Sequence, residues 1–193
     1  MNVIVACEES ATVRDAFIKR GHRAISCDVR PSRNGLPHYT GDIFDMIDYP
    51  WDLIIAHPPC THTSVSGAKH FAEKWADGRQ ACGVAFFLRL WKAAMHIPRA
   101  CFEHPISIMS RWMPRPQIVH PWWFGHGETK ATCLYLRGLP ELQPTNVVEG
   151  REARIHRMAP GPERARERSK TYQGLAEAMA TQWGAQPAQE GKA

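Results

Sequence analysis

The chain has 193 residues, 44% of them hydrophobic, and seven tryptophans, which together predict one globular domain with a full core. Its net charge of +5 is a mild basic excess, compatible with a phosphate-bearing partner but too small to identify one. No run approaches the ~20 apolar residues of a membrane span. Glu8 and Glu9 interrupt the N-terminal apolar run, which argues against a secretory signal peptide.

The cysteines and histidines show no metal-ligand spacing, so we expect no metal site. The six cysteines are scattered through apolar segments without a C-x-x-C pair, which is typical of reduced thiols in a cytoplasmic protein. Cys60 stands apart from the others, because it directly follows Pro58-Pro59. The other five are predicted to be core residues: Cys7, Cys27, Cys82, Cys101 and Cys133.

Strand and helix patterns alternate in the first half of the chain. Residues 2–7 form a short, β-branched apolar run, typical of a strand buried on both faces. A helix is predicted from an N-cap at Ser10 to Lys19, with Gly21 after its end. Three further strands are predicted at residues 23–28, 38–43 and 52–56.

The second half continues the alternation. Helical periodicity resumes at Gly78 in GRQACGVAFFLRLWKAAM, and a strand at 100–102 is expected to stop at Glu103-His104-Pro105. Residues 130–136 alternate like a strand, 147–168 are predicted to be loop, and 170–183 an amphipathic helix. We predict a single domain over 1–184 and a disordered tail over 185–193.

Strands that alternate with helices at this spacing predict an α/β fold with a doubly wound, mostly parallel, Rossmann-like sheet. In such sheets the ligand binds outside the carboxyl ends of the strands. Chemically useful side chains stand at several of these predicted ends: Glu8 and Glu9, Asp28, Asp42, Cys60 and Glu103. We expect them to converge on one crevice.

Several segments in the same order carry a resemblance to a known family. They include VACEESATVRDAF, CDVRPS, GDIFD, WDLIIAHPPCTHTSVSGAKHF, FEHPISIMS and RSKTYQGLAEAMATQWG. The chain resembles the small class I S-adenosylmethionine-dependent methyltransferases of tailed bacteriophages and prophages that act as cytosine-C5 DNA methyltransferases. The resemblance implies the class I methyltransferase fold, S-adenosyl-L-methionine as cofactor, DNA as partner and the bacterial host cytoplasm as location.

The resemblance also implies roles for individual residues. Cys60 stands at the position of the nucleophile that attacks C6 of cytosine, and Glu103 at that of the carboxyl that holds N3 and N4 of the base. Substrate contacts are implied for Ser64, Lys130 and Thr132. Cofactor contacts are implied for Glu8, Glu9, Ser10, Asp28, Asp42, Pro58 and Tyr172.

The match departs from the family at three kinds of position. Ala11 stands where a glycine is common, His104 where an asparagine is usual, and Lys130 with Thr132 where longer relatives carry two arginines. The chain between Leu136 and Lys170 leaves no room for a separate target-recognition domain, so sequence readout is expected to be weak or to need a protein partner.

Two other hypotheses stay open at this stage. One is a methyltransferase for another substrate, either a free pyrimidine nucleotide or an exocyclic amine. The other is a non-catalytic nucleic-acid-binding protein that retains the fold. Binding of S-adenosylmethionine, measured by calorimetry, separates both methyltransferase hypotheses from the last one.

Overall fold

The computed structural model describes residues 1–157 and 164–185. Within these ranges the chain forms a seven-stranded sheet with the order β3-β2-β1-β4-β5-β7-β6. From β3 to β5 in this order the five strands run parallel to one another, and β7 is antiparallel to both β5 and β6. The strands are β1 Asn2–Ala6, β2 Arg23–Asp28, β3 His38–Thr40, β4 Leu53–Ala56, β5 Arg99–Pro105, β6 Gln117–Val119 and β7 Thr132–Arg137. The predicted Rossmann-like, mostly parallel α/β sheet is confirmed.

Helices cover both faces of the sheet. The α-helices are α1 Thr12–Lys19, α2 Phe71–Ala76, α3 Arg79–Ala93, α4 Arg154–Arg157, α5 Arg164–Ser169 and α6 Gln173–Gly184. Helices α1 and α6 share one core cluster with Val3 and Val5, while α3 shares a second cluster with Ile4 and Ala6. Alternate side chains of β1 therefore enter opposite cores, as the period of two in a strand requires.

The strand β5 is longer than its sequence indicates. We expected it to stop at Phe102, but it continues to Pro105 because β7 pairs with it along its whole length. Glu103 lies opposite Leu134, and His104 lies opposite Cys133. Glu103 is thus held on a strand and not in a turn.

Helix α1 does not begin as predicted. Its N-cap is Ala11, whose φ of +64° lies in the left-handed region that favours glycine. Ser10 stands one residue before this N-cap, and its hydroxyl accepts only from the backbone N–H of Thr12, at 3.3 Å, among the described residues. The carboxylate of Glu8 accepts hydrogen bonds from the backbone N–H of Val13 at 2.7 Å and of Arg14 at 3.2 Å. A negative charge at a helix N-terminus is favourable, so Glu8 replaces Ser10 as the cap.

Several short elements lie outside the predicted ones. The strand β3 ends at Thr40, and Asp42 caps a 3-10 turn over Ile43–Asp45. Helix α2 and strand β6 were not predicted, and the stretch predicted as loop holds α4 and α5. Elements of three to six residues carry too few apolar repeats to show a period.

In the ranges described above, no helix is long and apolar enough to cross a membrane. Of the predicted disordered tail, residues 186–193 lie outside the described residues.

Candidate active site

The carboxyl ends of the central strands meet at one edge of the sheet. Ala6 at the end of β1 pairs with Ala56 of β4, which in turn pairs with Phe102 of β5. The segments that follow these three strands are therefore neighbours. The segments after β1 and β4 carry Glu8 and His57 with Cys60, and Glu103 is the next residue of β5 after Phe102, so chemistry-bearing residues lie beside one another at this edge.

The loop that carries Cys60 is held by hydrogen bonds within itself and to helices. The carbonyl of Cys60 accepts from the backbone N–H of Thr63 at 3.1 Å and of Ser64 at 3.0 Å. The ammonium of Lys74, a buried residue on α2, donates to the carbonyl of Thr61 at 2.7 Å. With the rigid Pro-Pro pair on its other side, the Cys60 backbone has little freedom.

The same loop is tied to the end of β5. The hydroxyl of Thr63 lies 2.9 Å from Nε2 of His104, and the Thr63 carbonyl accepts from the backbone N–H of Ile108 at 3.1 Å. Burial lowers the pKa of His104 to about 4, so its ring is neutral at physiological pH. His104 therefore supports the Cys60 loop. Ser64 is buried, and its hydroxyl accepts from the backbone N–H of Ser66 at 3.4 Å.

Glu103 is paired with a residue that precedes the Pro-Pro-Cys motif. Its Oε2 lies 2.9 Å from Nδ1 of His57, and the side chains are 12% and 10% exposed. Burial by itself would raise the pKa of Glu103, but the hydrogen bond and charge of His57, with Lys130, lower it. Burial likewise opposes charge on His57, but the bond to Glu103 raises its pKa above the usual value. Both pKa shifts favour the charged forms of the pair, a carboxylate and an imidazolium.

The Cys60 thiol sits in opposing electrostatic fields. It is half-buried, and burial followed by the negative charge of Glu103 raises the pKa of Cys60, while Lys130 and Arg168 lower it in part. The balance favours the thiol over the thiolate in the free protein. A nucleophilic role would therefore need further activation when the substrate is bound.

Lys130 connects this site to the C-terminal part of the chain. Its ammonium donates to the carbonyl of Arg168 at 2.9 Å and approaches that of Lys170 at 3.4 Å. It also lies 5.6 Å from the centre of the Tyr172 ring. Thr132 is buried on β7, and its hydroxyl donates to the carbonyl of Lys130 at 3.2 Å. This hydrogen bond holds the backbone of Lys130 in place.

Residues 164–172, here called the terminal strap, bridge the two sides of the crevice. Glu167 of the strap pairs with Arg33 at 2.9 Å, and Arg33 also pairs with Glu9 at 2.7 Å. At the far end, the Tyr172 hydroxyl donates to Glu128 at 2.8 Å. The strap thus contacts the loop after β2, through Arg33 it is linked to the loop after β1, and it contacts the segment that leads into β7.

The residues predicted to bind a cofactor divide into two groups. Glu8 is buried, and its carboxylate accepts hydrogen bonds from the N-terminus of α1. The hydroxyl of Ser10 donates to Glu8 at 3.2 Å. Glu9 is buried in the ion pairs with Arg33 and, at 3.8 Å, with Arg30. The side chains of these three residues thus bind groups of the protein itself, in the first turn of α1 and in the loop after β2.

Asp28 and Asp42 form the second group. Burial raises the pKa of Asp28, although the backbone N–H of Arg30 donates to its Oδ1 at 2.9 Å. Asp42 is exposed, and its Oδ1 accepts from the backbone N–H of Phe44 at 3.1 Å. Burial raises the pKa of the Cys7 thiol, and the charges of Asp28 and Asp42 raise it further. Over residues 1–157 and 164–185, Oδ2 of each has no hydrogen-bond partner.

The cysteine prediction holds in part. Cys27, Cys101 and Cys133 are buried, Cys7 is half-buried, and Cys82 is exposed. The prediction of a core thiol is wrong for Cys82, because this position of α3 faces away from the sheet. Among the described residues, no group of His, Cys, Asp and Glu side chains could hold a metal ion.

Sequence reasoning missed the part that His57 and Arg33 take in the site. The sequence carried one usable signal, because His57 stands at the end of β4 like the other strand-end residues. Arg33 had no such signal, since its partners Glu9 and Glu167 are far away in sequence. Pro58 is buried beside His57, and Tyr172 lies against the ring of His126 at 5.0 Å.

Comparisons with known proteins bear on the fold. No protein-family model and no curated protein matches the chain. It is similar to the solved structure of a candidate DNA modification methyltransferase encoded within a prophage of E. coli, at 13% identity and a TM-score of 0.54, over 83% of this chain and 55% of that one. It is also similar to the Entamoeba histolytica methyltransferase EhMeth, at 13% identity and a TM-score of 0.50, over 78% and 57%. The chain spans little more than half the length of either, and the likeness shows a shared Rossmann-like fold.

Proposed function

We propose that the protein transfers a methyl group from S-adenosyl-L-methionine to C5 of cytosine in DNA, through a covalent bond between Cys60 and C6 of the base. The observation that carries the proposal is that a thiol, a carboxylate and an ammonium group lie close together at the crevice. A half-buried thiol on a rigid Pro-Pro loop after β4 shares its electrostatic environment with the Glu103 carboxylate of β5 and the Lys130 ammonium.

The cofactor fits the opposite side of the crevice. Ribose hydroxyls and an adenine amine donate hydrogen bonds, and Asp28 and Asp42 each retain a carboxylate oxygen without a partner among the described residues. When bound, S-adenosylmethionine supplies a methyl group on a positively charged sulfur. We assign Asp28 and Asp42 to its ribose and adenine, and Pro58 and Tyr172 to the walls of its pocket.

The chain's own residues supply the covalent chemistry. The sulfur of Cys60, after losing its proton, forms a bond to C6, and the electron pair of the C5–C6 bond becomes available at C5. C5 takes the methyl group and then loses its proton to solvent, whereupon the C6–S bond breaks and returns the electrons to Cys60. Glu103 holds the amino edge of the ring during these steps.

Substrate approach explains the remaining residues. A base inside a duplex must leave the stack to reach a thiol at the bottom of a crevice. Lys130 lies beside the site and can meet a phosphate once its bonds to the strap carbonyls are exchanged. We assign Ser64 and Thr132 to the support of the loops that meet the substrate. Binding through phosphates predicts tolerance of many flanking sequences, unless a protein partner supplies recognition.

The proposal also includes the location and the origin of the protein. Methyl transfer would take place in the cytoplasm, where the thiols stay reduced, and the protein would be encoded by a phage.

The test uses the whole chain with duplex DNA, single-stranded DNA and deoxycytidine nucleotides, each with isotopically labelled S-adenosylmethionine. After nuclease digestion, mass analysis of the nucleosides identifies the methylated atom. We expect label in 5-methylcytosine from DNA. Label in N4-methylcytosine or in the free nucleotide would support the other methyltransferase hypothesis, and DNA binding without any label would support the non-catalytic one.

A further inference from the structure

The neighbours His57 and Glu103 carry one inference that rests on the function proposed above. β4 and β5 run in parallel with Ala56 opposite Phe102, so the next residues along the two strands stand side by side. Because side chains alternate between the faces of a sheet, both leave it on the same face. The contact between them is therefore dictated by the register of the two strands.

The backbone and the packing around His57 restrict the orientation of its imidazole ring. The backbone N–H of His57 donates to the carbonyl of Ala6 at 2.9 Å, which extends the ladder of β1 and β4 by one residue. Pro58 follows and limits the backbone conformation of His57. With 10% of its side chain exposed, the ring has little room to turn, and its Nδ1 lies 2.9 Å from Oε2 of Glu103.

The remaining polar atoms of the pair differ in their surroundings. Nε2 of His57 is buried and, across 1–157 and 164–185, has no hydrogen-bond partner. Oε1 of Glu103 also lacks a partner in this part of the chain, but it is not among the buried atoms and stays in contact with solvent. Oε1 is therefore the carboxylate oxygen that has no hydrogen-bond partner among the described residues.

We infer that His57 is a positioning residue for Glu103: its Nδ1–H holds Oε2, so that Oε1 is the oxygen presented to the target base. An ionised carboxylate accepts hydrogen bonds and cannot donate them. Oε1 would therefore accept from the N4 amino group of cytosine.

The charges around the pair support this assignment. Glu103 faces His57, Lys130 and His104, and His57 faces Glu103, Glu8 and Lys130. Of these, the bond and charge of His57 do most to lower the pKa of Glu103 against the opposing effect of burial. Without the imidazole, burial would dominate, and the Glu103 carboxyl would hold its proton to a higher pH.

The experiment compares His57→Ala, His57→Asn and Glu103→Gln with the wild-type chain. An asparagine amide can donate to Oε2 as Nδ1 does, whereas alanine cannot. We expect His57→Ala to lose about 10- to 100-fold in methylation rate at pH 7 and to regain much of it as the pH rises and Glu103 ionises. His57→Asn should restore most of the rate lost in His57→Ala, and Glu103→Gln should stay impaired at every pH.

A second readout does not depend on catalysis. In protein labelled with ¹³C at glutamate, the Glu103 carboxyl signal, assigned by its loss in Glu103→Gln, should titrate at higher pH in His57→Ala than in the wild type. The inference is overturned if that titration is the same in both proteins, or if His57→Ala has the wild-type pH profile of methylation. If the wild-type chain methylates nothing, the proposed function fails, and the titration alone judges the pairing.

Discussion

The ammonium of Lys130 lies 2.9 Å from the backbone carbonyl of Arg168, and this contact fastens the terminal strap to the segment that leads into β7. Arg168 belongs to α5, and the preceding residue, Glu167, pairs with Arg33 of the loop after β2. The strap therefore connects the loop after β2, which carries Arg33, with the segment that carries Lys130.

Loss of the Lys130 contact should loosen the strap. A hydrogen bond from a charged donor contributes about 1.5–3 kcal/mol, and about half of that is a reasonable expectation for a half-buried group. Lys130→Met should therefore speed amide hydrogen exchange in residues 164–172 by about three- to tenfold. Lys170→Met is the matched control, because the Lys170 ammonium pairs with Glu167 at the surface and does not contact Lys130 through its side chain within the described residues. Equal exchange in the wild type and Lys130→Met would contradict the proposed fastening.

The reactivity of Cys60 should respond in opposite directions to two neutralising substitutions. Burial and the charge of Glu103 raise the pKa of Cys60, so alkylation by iodoacetamide should be slow at pH 7 and accelerate above the ordinary thiol range. Glu103→Gln removes the negative charge and should speed alkylation at pH 7.5. Lys130→Met removes a positive charge and should slow it.

Peptide mass analysis reads this rate separately for each cysteine, and the exposed Cys82 serves as an internal standard. Its rate should stay constant across the variants. If Glu103→Gln slows alkylation of Cys60, the thiol and the carboxylate do not share one field, and the site has been misread.

Asp28 and Asp42 should bind the cofactor. Asp28→Ala is expected to weaken binding of S-adenosylmethionine by about 1–3 kcal/mol, the range for a lost hydrogen bond to a charged group. Isothermal titration calorimetry measures this, with Asp48→Ala, a change in an exposed turn, as control. Unchanged affinity in both Asp28→Ala and Asp42→Ala would remove these residues from the cofactor site.

Arg14 should be important for stability. Its side chain is 1% exposed, and its guanidinium donates to the carbonyls of Gly35 at 2.7 Å, Asn34 at 2.9 Å and Pro37 at 3.1 Å. Arg14→Ala would leave these acceptors unpaired and should lower the free energy of unfolding by about 2–4 kcal/mol.

Arg14→Lys should recover little of this loss, because a single ammonium cannot reproduce the planar fork of the guanidinium. Arg20→Ala, at an exposed position of the same region, is the control and should change stability by less than about 0.5 kcal/mol. Urea denaturation measures all three variants. A change in Arg14→Ala as small as in the control would show that the loop over 34–37 does not depend on this network.

The central strands could be predicted because they identify themselves locally. Val3 to Ala6 and Leu53 to Ala56 are continuous apolar runs, and such runs become strands buried on both faces. The length of β5 could not be predicted in this way. Its last residues are polar or proline, and their strand conformation depends on pairing with β7, about 30 residues away.

The candidate site divides along the same line. Asp28 and Glu103 lie near the carboxyl ends of their strands, and Asp42 and Cys60 follow theirs by two and four residues, so the rule for parallel sheets brings all four to one edge. The partners of these residues depend on the register between strands, which a single sequence does not reveal. The sequence therefore does not predict the contact of His57 with Glu103, or the cap that Glu8 supplies to α1.

The most direct test of the account is covalent trapping on DNA that contains 5-fluorocytosine. Fluorine at C5 cannot leave as a cation, so the bond between Cys60 and C6 should persist after methyl transfer, and denaturing electrophoresis should show a protein–DNA complex that requires S-adenosylmethionine. Cys82→Ser should still form it, and Cys60→Ser should not, because a hydroxyl is scarcely ionised near neutral pH. If the wild-type chain methylates C5 but never traps, or if Cys60→Ser traps equally well, Cys60 is not the nucleophile and the proposed mechanism is wrong.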